Sequence, residues 1–234
     1  MKQKYEFIGK SVWIEKEKIL VIADLHIGYE ESLNIAMPRL QYSEIIKDLE
    51  RIFKETKNLK EIIILGDLKH EFSKNITQEW NEVRKFFSFL KEKCEKVVLV
   101  KGNHDNFIEN ISSKYNIEVK DYYIKDEFGF IHGDKQFIEI LDKKIKYLFL
   151  GHMHPAIRLE EGAKREIYKC FLRGKWKSKE IIILPSFFPF VEGTHISEDN
   201  NLAYDFKLKN FEVFIPDEEK ILDFGKLKDI RKLA

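Results

Sequence analysis

Short apolar runs that end in glycine or polar residues recur through the first half of the chain, at 18–23 and within EIIILGDLKHEF and KVVLVKGNHDNF. Between them, apolar residues recur at helical spacing in YSEIIKDLERIFKETK and in TQEWNEVRKFFSFLKEK, with Ser43 as the expected cap of the first helix. Strands that alternate with helices predict parallel pairing. Ligands of such sheets bind beyond the carboxyl ends of the strands.

The second half of the chain is richer in strands. Five apolar segments, joined by Gly, Pro or charged turns, begin at YYIKDEFGFIHGDK and end at NFEVFIPDEEKILDF. One helix is expected near 136–143, and the final KLKDIRKLA is expected to be a loose tail. Together the two halves predict an α/β protein with a single domain over residues 1–234.

Composition narrows the class of protein. Of 234 residues, 44% are hydrophobic and 35% charged, and no apolar run approaches the length of about 20 residues that crosses a bilayer. The N-terminal MKQKYEFIGK lacks the apolar core of a secretory signal, so we expect a cytoplasmic location without membrane attachment. Two cysteines exclude a disulfide-rich scaffold, and a net charge of +1 means that nucleic acid would need a local basic patch.

Polar residues of metal-ligand type follow five of the apolar runs. They are Asp24 with His26, Asp67, Asn103 to Asp105, His132, and His152 with His154. In extended segments, residues i and i+2 point to the same side, so each i, i+2 pair is expected to enter one pocket. A single such residue is more often a turn or packing residue. However, five of the seven histidines lie in these clusters.

The ordered motifs DLH, GDLKH, GNHD, IHGD and GHMH resemble the calcineurin-like metallophosphoesterase superfamily. The resemblance implies a four-layer α/β/β/α sandwich of two mixed sheets with helices on both outer faces. GDLKH, DLHIGYE and GHMHP look most like the SbcD-related archaeal phosphoesterases and the bacterial phosphoesterases associated with DNA ligase and helicase.

The resemblance also implies ligands for two divalent metal ions. One ion would be held by Asp24, His26 and His154, the second by Asn103, His132 and His152, with Asp67 bridging both. Carboxylates and imidazoles suit Mn, Fe, Zn or Ni, and we favour Mn. A bridging hydroxide would then attack phosphorus in line with the leaving oxygen.

We expect four further residues to act near the metals. By the same resemblance, His104 protonates the leaving oxygen and Asp105 orients its imidazole. His70 would contact phosphate or orient a ligand, although a purely structural hydrogen bond is an equal alternative. Arg39 could reach a substrate phosphate or could simply be exposed.

The substrate is expected to be nucleic acid, with single-stranded or flapped DNA favoured. In KREIYKCFLRGKWKSK, residues 164–179, basic residues alternate with Tyr168, Phe171 and Trp176, as in a single-strand groove; the alternative is a solvated hairpin whose aromatic residues face the core. PSFFPFVEGTH, which ends at His195, is expected to wall the pocket. The alternative functions are a small-molecule phosphodiesterase or nucleotide phosphatase, and a non-catalytic subunit that docks on a helicase or ligase.

Overall fold

The computed structural model describes residues 3–32, 40–71, 77–161, 164–196, 201–217 and 220–230, which form three sheets and several helices. Six strands form the first sheet, in this order: β1 (Glu6–Ile8), β2 (Ser11–Ile14), β3 (Ile19–Ile22), β4 (Glu61–Leu65), β5 (Lys96–Val100) and β6 (Glu118–Lys120). Strands β3 to β6 are parallel, whereas β1 and β2 pair antiparallel.

The other strands form a large mixed sheet and a small one. Seven strands form the second sheet, in this order: β16 (Ile221–Lys226), β15 (Glu212–Pro216), β12 (Phe171–Trp176), β13 (Lys179–Ile183), β9 (Tyr147–Leu150), β8 (Phe128–Ile131) and β7 (Tyr122–Lys125). Only the pairs β13–β9 and β9–β8 are parallel among them. The third sheet consists of β11 (Lys164–Lys169), β10 (Pro155–Glu161) and β14 (Thr194–His195).

The helices differ greatly in length. They are α1 (Tyr29–Ser32), α2 (Gln41–Glu55), α3 (Thr77–Lys93), α4 (Glu109–Ser112) and α5 (Leu227–Ile230). Single 3₁₀ turns are found at Ser113–Tyr115, Glu139–Leu141 and Leu208–Asn210. None of the helices in the described ranges is long and apolar enough to cross a membrane.

The two large sheets pack face to face, as the resemblance implied. Because side chains alternate along a strand, residues such as Val21 and Val98 of the first sheet and Phe149 of the second meet in a buried layer. Each such side chain contributes about 1.5–3 kcal/mol through burial. The mixed α/β sandwich is therefore confirmed.

The two outer faces have different helical cover. The outer face of the first sheet packs against the long helices α2 and α3, through residues such as Leu49 and Phe86. The outer face of the second sheet packs against short turns, through Leu208, Leu227 and Ile230. The sandwich thus has long helices on one side and single helical turns on the other.

Two local predictions were wrong, and the expected tail is described only in part. Ser43 does not cap α2: the helix begins earlier, and the Ser43 hydroxyl donates to the Leu40 carbonyl within its first turn. The helix expected near 136–143 is only the 3₁₀ turn Glu139–Leu141. The supposed loose tail begins with α5, which is fixed by its buried apolar residues; residues 231–234 lie outside the described ranges.

Candidate metal centre

The polar residues that follow the strands come together at one end of the sandwich. They follow β3, β4 and β5 of the first sheet and β8 and β9 of the second. The main-chain N–H of His152 donates to both carboxylate oxygens of Asp24, at 3.0 Å each, which joins the two sheet ends. The side chains that meet there are Asp24, His26, Asp67, Asn103, His132, His152 and His154.

Left-handed backbone conformations bring these side chains together. They occur at Asp24 (φ 53°), His26 (φ 47°), Asp67 (φ 47°), His152 (φ 66°) and His154 (φ 50°). The predicted reason for convergence, extended backbone at i and i+2, was therefore wrong. The chain has already left the strand and turns each side chain inward. Such conformations cost about 1–2 kcal/mol per residue and tend to cluster at active sites.

A first group of donor atoms surrounds the side chain of Asp24. The donor atoms of Asp24, His26, Asp67 and His154 all lie within 4.8 Å of one another. Nε2 of His26 is 3.3 Å from Nε2 of His154 and 3.8 Å from Oδ2 of Asp67. Nε2 of His154 is 3.4 Å from Oδ1 of Asp24.

A second group is centred on His132. Its Nε2 is 3.0 Å from Nδ1 of His152, 3.2 Å from Oδ1 of Asn103 and 3.4 Å from Oδ2 of Asp67. Its Nδ1 lies 2.8 Å from the Leu65 carbonyl, to which it donates. That hydrogen bond leaves Nε2 as the nitrogen able to bind a cation.

Asp67 belongs to both groups. Its Oδ1 accepts the main-chain N–H of His104 at 2.9 Å, whereas Oδ2 lies near both His26 and His132. Several of the facing atoms are 3.0–3.4 Å apart, which is about the spacing of ligands that share one ion at about 2.1 Å. The donors therefore fit divalent cations in their number, type and spacing.

Burial and mutual charge explain how these donors titrate. Burial lowers the pKa of His26 to about 3, so its imidazole is neutral and can act as a ligand. Burial would raise the pKa of Asp67, but the hydrogen bond and charge of His132 outweigh it and hold that pKa below its usual range. Burial would lower the pKa of His132, but Asp67 and then Asp24 raise it to about 10, so a cation that binds Nε2 would have to displace its proton. Carboxylate charge in this site thus attracts cations.

Close backbone approach at two glycines allows this packing. A Cβ on Gly66, which has φ +78°, would lie 2.4 Å from Nδ1 of His132. A Cβ on Gly102 would lie 2.3 Å from Oδ1 of Asp67. Contacts this short are sterically forbidden, so only glycine fits at either position.

His104 lies beside the cluster and is held by the neighbouring loop. Its Nδ1 is 2.5 Å from the main-chain carbonyl of His70, and its ring centroid is 5.0 Å from that of His26. A carbonyl can only accept, so Nδ1 carries the proton and Nε2 is the nitrogen that can exchange one with substrate. The ring of His70 itself lies 5.7 Å from that of His104 and 5.5 Å from that of His26.

Asp105 has a different role from the expected one. Its fully buried carboxylate accepts main-chain N–H groups of Leu68 and Gly102 at 2.9 Å and of Lys69 at 3.4 Å. It therefore fixes the loop that carries Asp67, while the imidazole of His104 is oriented by a carbonyl. Burial, and then the charge of Asp67, raise the pKa of Asp105 to about 6.

Glu79, in the first turn of α3, was not singled out in the sequence. Its Oε1 accepts the N–H groups of His70 at 3.0 Å and Glu71 at 2.7 Å. A Cβ on Gly28 would lie 2.7 Å from its side chain, so Glu79 packs against both metal-ligand loops. Among the described residues, its Oε2 and the Nδ1 atoms of His26 and His70 are buried without a hydrogen-bond partner. No motif spacing could have revealed this contact.

The segment that was expected to wall the pocket does border the cluster. Phe188 donates its main-chain N–H to the carbonyl of Asp24, and its ring lies 5.8 Å from that of His26 and 4.7 Å from that of Tyr29. Nζ of Lys169 donates to the carbonyls of Ser186 and Phe188 and thereby supports this wall. His195 is exposed and belongs to β14.

The basic tract 164–179 does not form one groove beside the metals. Phe171 is fully buried between the sheets, and Trp176 packs edge-on against Tyr204 and Phe206. β12 runs antiparallel to β13, which is parallel to β9. The Trp176 end of β12 therefore lies at the end of the sheet that is far from the cluster. The core-facing alternative therefore describes these aromatic residues. Arg39 lies outside the described residues.

Comparison with known proteins identifies the class. Residues 17–215 match the family model of the calcineurin-like phosphoesterases, so the chain belongs to this family, which implies a metal-dependent phosphoester hydrolase. No curated protein matches the chain. Among solved structures, Pseudomonas putida nuclease MPE is 21% identical, with 94% of this chain and 100% of that chain covered and a TM-score of 0.66. The Aquifex aeolicus protein AQ665 is 24% identical over 58% of this chain and 78% of that chain, with a TM-score of 0.40.

Proposed function

We propose that this protein is a two-metal phosphodiesterase that cleaves nucleic acid, preferably single-stranded or flapped DNA. The observation that carries the proposal is the position of Asp67, whose carboxylate belongs to both donor groups. Asp24, His26 and His154 would complete one cation site, and Asn103, His132 and His152 the other. Mn is the favoured metal.

The residues of the chain have distinct tasks in this reaction. Bound divalent cations supply Lewis acidity, activating water and neutralising phosphate charge. His104 donates a proton through Nε2 to the departing oxygen, and the His70 carbonyl holds the required tautomer. Asp105 keeps the Asp67 loop in place. The imidazole of His70, half-buried beside His104, contacts the substrate phosphate.

Two observations support a nucleic-acid substrate. The fold is similar to that of Pseudomonas putida nuclease MPE. GDLKH is most similar to the motif of the SbcD-related and ligase- or helicase-associated phosphoesterases, which also makes a helicase or ligase a candidate partner. A cytoplasmic location and a single domain over residues 1–234 stay predictions. The presence of His104 and all the donor types favours an enzyme over a non-catalytic subunit.

Hydrolysis of model esters tests the reaction class. Metal-free protein reloaded with Mn is expected to cleave bis(p-nitrophenyl) phosphate faster than p-nitrophenyl phosphate, because a diester presents less charge to the carboxylate-rich site. The opposite preference would replace the diesterase assignment with a phosphatase. Labelled single-stranded and duplex DNA of one sequence would then be compared, and equal failure on both would favour a small-molecule substrate.

A further inference from the structure

Two exposed phenylalanines lie on loops beside the metal cluster, where the proposed mechanism gives them no task. Phe107 is 59% exposed and Phe190 is 45% exposed. Single exposed apolar side chains are common on protein surfaces, but exposed aromatic rings beside a phosphate-binding site are the groups on which proteins stack the bases of single strands.

Phe107 also has an unfavourable backbone conformation. Its φ is +64°, in a region that bulky L residues rarely adopt. Ile108, which follows it, is fully buried, and the N–H of Asn110 donates to the Phe107 carbonyl, so the turn is fixed. Phe107 is the third residue after His104, which limits their Cα distance to about 11 Å. The chain thus holds an exposed ring near the proposed proton donor at a conformational cost.

Phe190 lies on a different loop from Phe107. It follows Phe188, which pairs with the main chain after β3, whereas Phe107 follows β5. Strand β4, which carries Asp67, lies between β3 and β5. Since neighbouring strands are about 4.8 Å apart, the chain after β5, which leads to Phe107, and the chain after β3, with which Phe188 pairs, are about 10 Å apart, with the strand of Asp67 between them.

We propose that Phe107 and Phe190 stack on nucleobases that flank the scissile phosphate, which makes the protein selective for single strands. This inference rests on the proposed function and names its substrate class. Bases in a duplex are already stacked on one another, whereas those of a single strand expose their faces to aromatic side chains. The scissile phosphate would bind to the cations, between the two rings. The stacking surface expected in the basic tract is thereby assigned to two different loops.

Binding of a fluorescent single-stranded oligonucleotide, measured by anisotropy, tests the two rings. Phe107→Ala and Phe190→Ala are each expected to weaken it about tenfold, since stacking contributes roughly 1–3 kcal/mol per base. Phe107→Trp should restore binding. The matched control is Phe224→Ala, whose 36% exposed ring lies on β16, four strand positions from β9, and which should bind like wild type. Binding of the duplex should change little in every variant.

The same variants separate this inference from the proposed reaction. Hydrolysis of bis(p-nitrophenyl) phosphate, which has two single rings but no nucleobases, should fall much less than oligonucleotide binding in Phe107→Ala and Phe190→Ala. An abasic residue placed at the matching position of the oligonucleotide should weaken wild-type binding and add no further loss in the variant. Binding by both variants that equals that of Phe224→Ala, or equal losses on oligonucleotide and small ester, would overturn the stacking role. Failure of wild type to hydrolyse the small ester would instead overturn the proposed function.

Discussion

At the scale of single residues, the tautomer of His104 is set by a main-chain carbonyl rather than by a carboxylate. The Nδ1–H donates to His70, so a proton leaves and returns through Nε2. A carbonyl cannot itself take up the proton, and it fixes the plane of the ring. This arrangement suits a group whose task is to protonate a leaving oxygen.

The loss of turnover on replacement of His104 should therefore depend on the leaving group. We expect His104→Ala to retain its metals and to lose about 10²–10⁴-fold in turnover of diphenyl phosphate, with a much smaller loss on bis(p-nitrophenyl) phosphate, whose leaving group needs little protonation. Steady-state kinetics with metal analysis would check this. Equal losses on both esters would contradict the role of proton donor.

Glu79 should also affect protonation of the leaving oxygen, because it binds the main chain of His70, whose carbonyl orients His104. In Glu79→Leu the N–H groups of His70 and Glu71 lose their carboxylate acceptor, which should cost about 1–3 kcal/mol of unfolding free energy. The leaving-group sensitivity should also shift towards that of His104→Ala. Glu79→Gln retains an oxygen acceptor and should behave nearly as wild type. Denaturant unfolding and the ester series measure the two effects; a stability loss with unchanged leaving-group sensitivity would make Glu79 purely structural.

At the scale of elements, the centre depends on how strands end. The turns after β3, β4 and β9 use left-handed residues to redirect carboxylates and imidazoles, and glycines allow the turns to touch. The backbone of Gly66 in particular lies against the ring of His132. Strand termination is thus as important to the site as the donors themselves.

Gly66→Ala tests this close approach. The new methyl would clash with His132, so we expect loss of metal binding and of stability. Gly225→Ala is the matched control, because Gly225 has a similar φ of +71° with nothing within 4 Å of its Cβ position. Both variants carry the left-handed strain, and only Gly66→Ala carries the clash. Similar metal content in the two variants, measured by mass spectrometry, would refute the packing argument.

Helices, strands and turns differ in how well the sequence predicts them. Helix α3 was predicted at its observed bounds, and the buried strands were predicted closely, because apolar periodicity reports burial directly. Left-handed turns after strands have no such periodicity and could not be predicted. The donor residues do lie together, but the reason given for it, extended backbone at i and i+2, was incorrect. The roles of Asp105 and Glu79 depend on main-chain N–H groups of distant loops, which no side-chain pattern encodes. The prediction of a single-strand groove in residues 164–179 failed because alternate residues of a hairpin face the core.

At the scale of the whole molecule, the cluster joins the two sheets. Asp24, His26, Asp67 and Asn103 follow strands of the first sheet, whereas His132, His152 and His154 follow strands of the second. Residues from both sheets would hold the cations, and bound cations would then link the two layers. Without cations, buried carboxylates and imidazoles must stabilise one another.

Metal removal should accordingly lower the stability of the folded protein. Mn at 100 times its dissociation constant is expected to add about 2.7 kcal/mol to the free energy of unfolding per site, and chelation should remove it. In Asp67→Ala, which lacks the shared carboxylate, Mn should add far less. Thermal unfolding with Mn or with chelator tests this. An Asp67→Ala variant stabilised by Mn as strongly as wild type would show that Asp67 is not a shared ligand.

Turnover of bis(p-nitrophenyl) phosphate as a function of Mn equivalents added to metal-free protein is the most direct test of a two-cation centre. The arrangement of donors around Asp67 predicts activity that rises until about two equivalents are bound per chain. Full activity at about one equivalent, with no further rise, would contradict the two-metal mechanism.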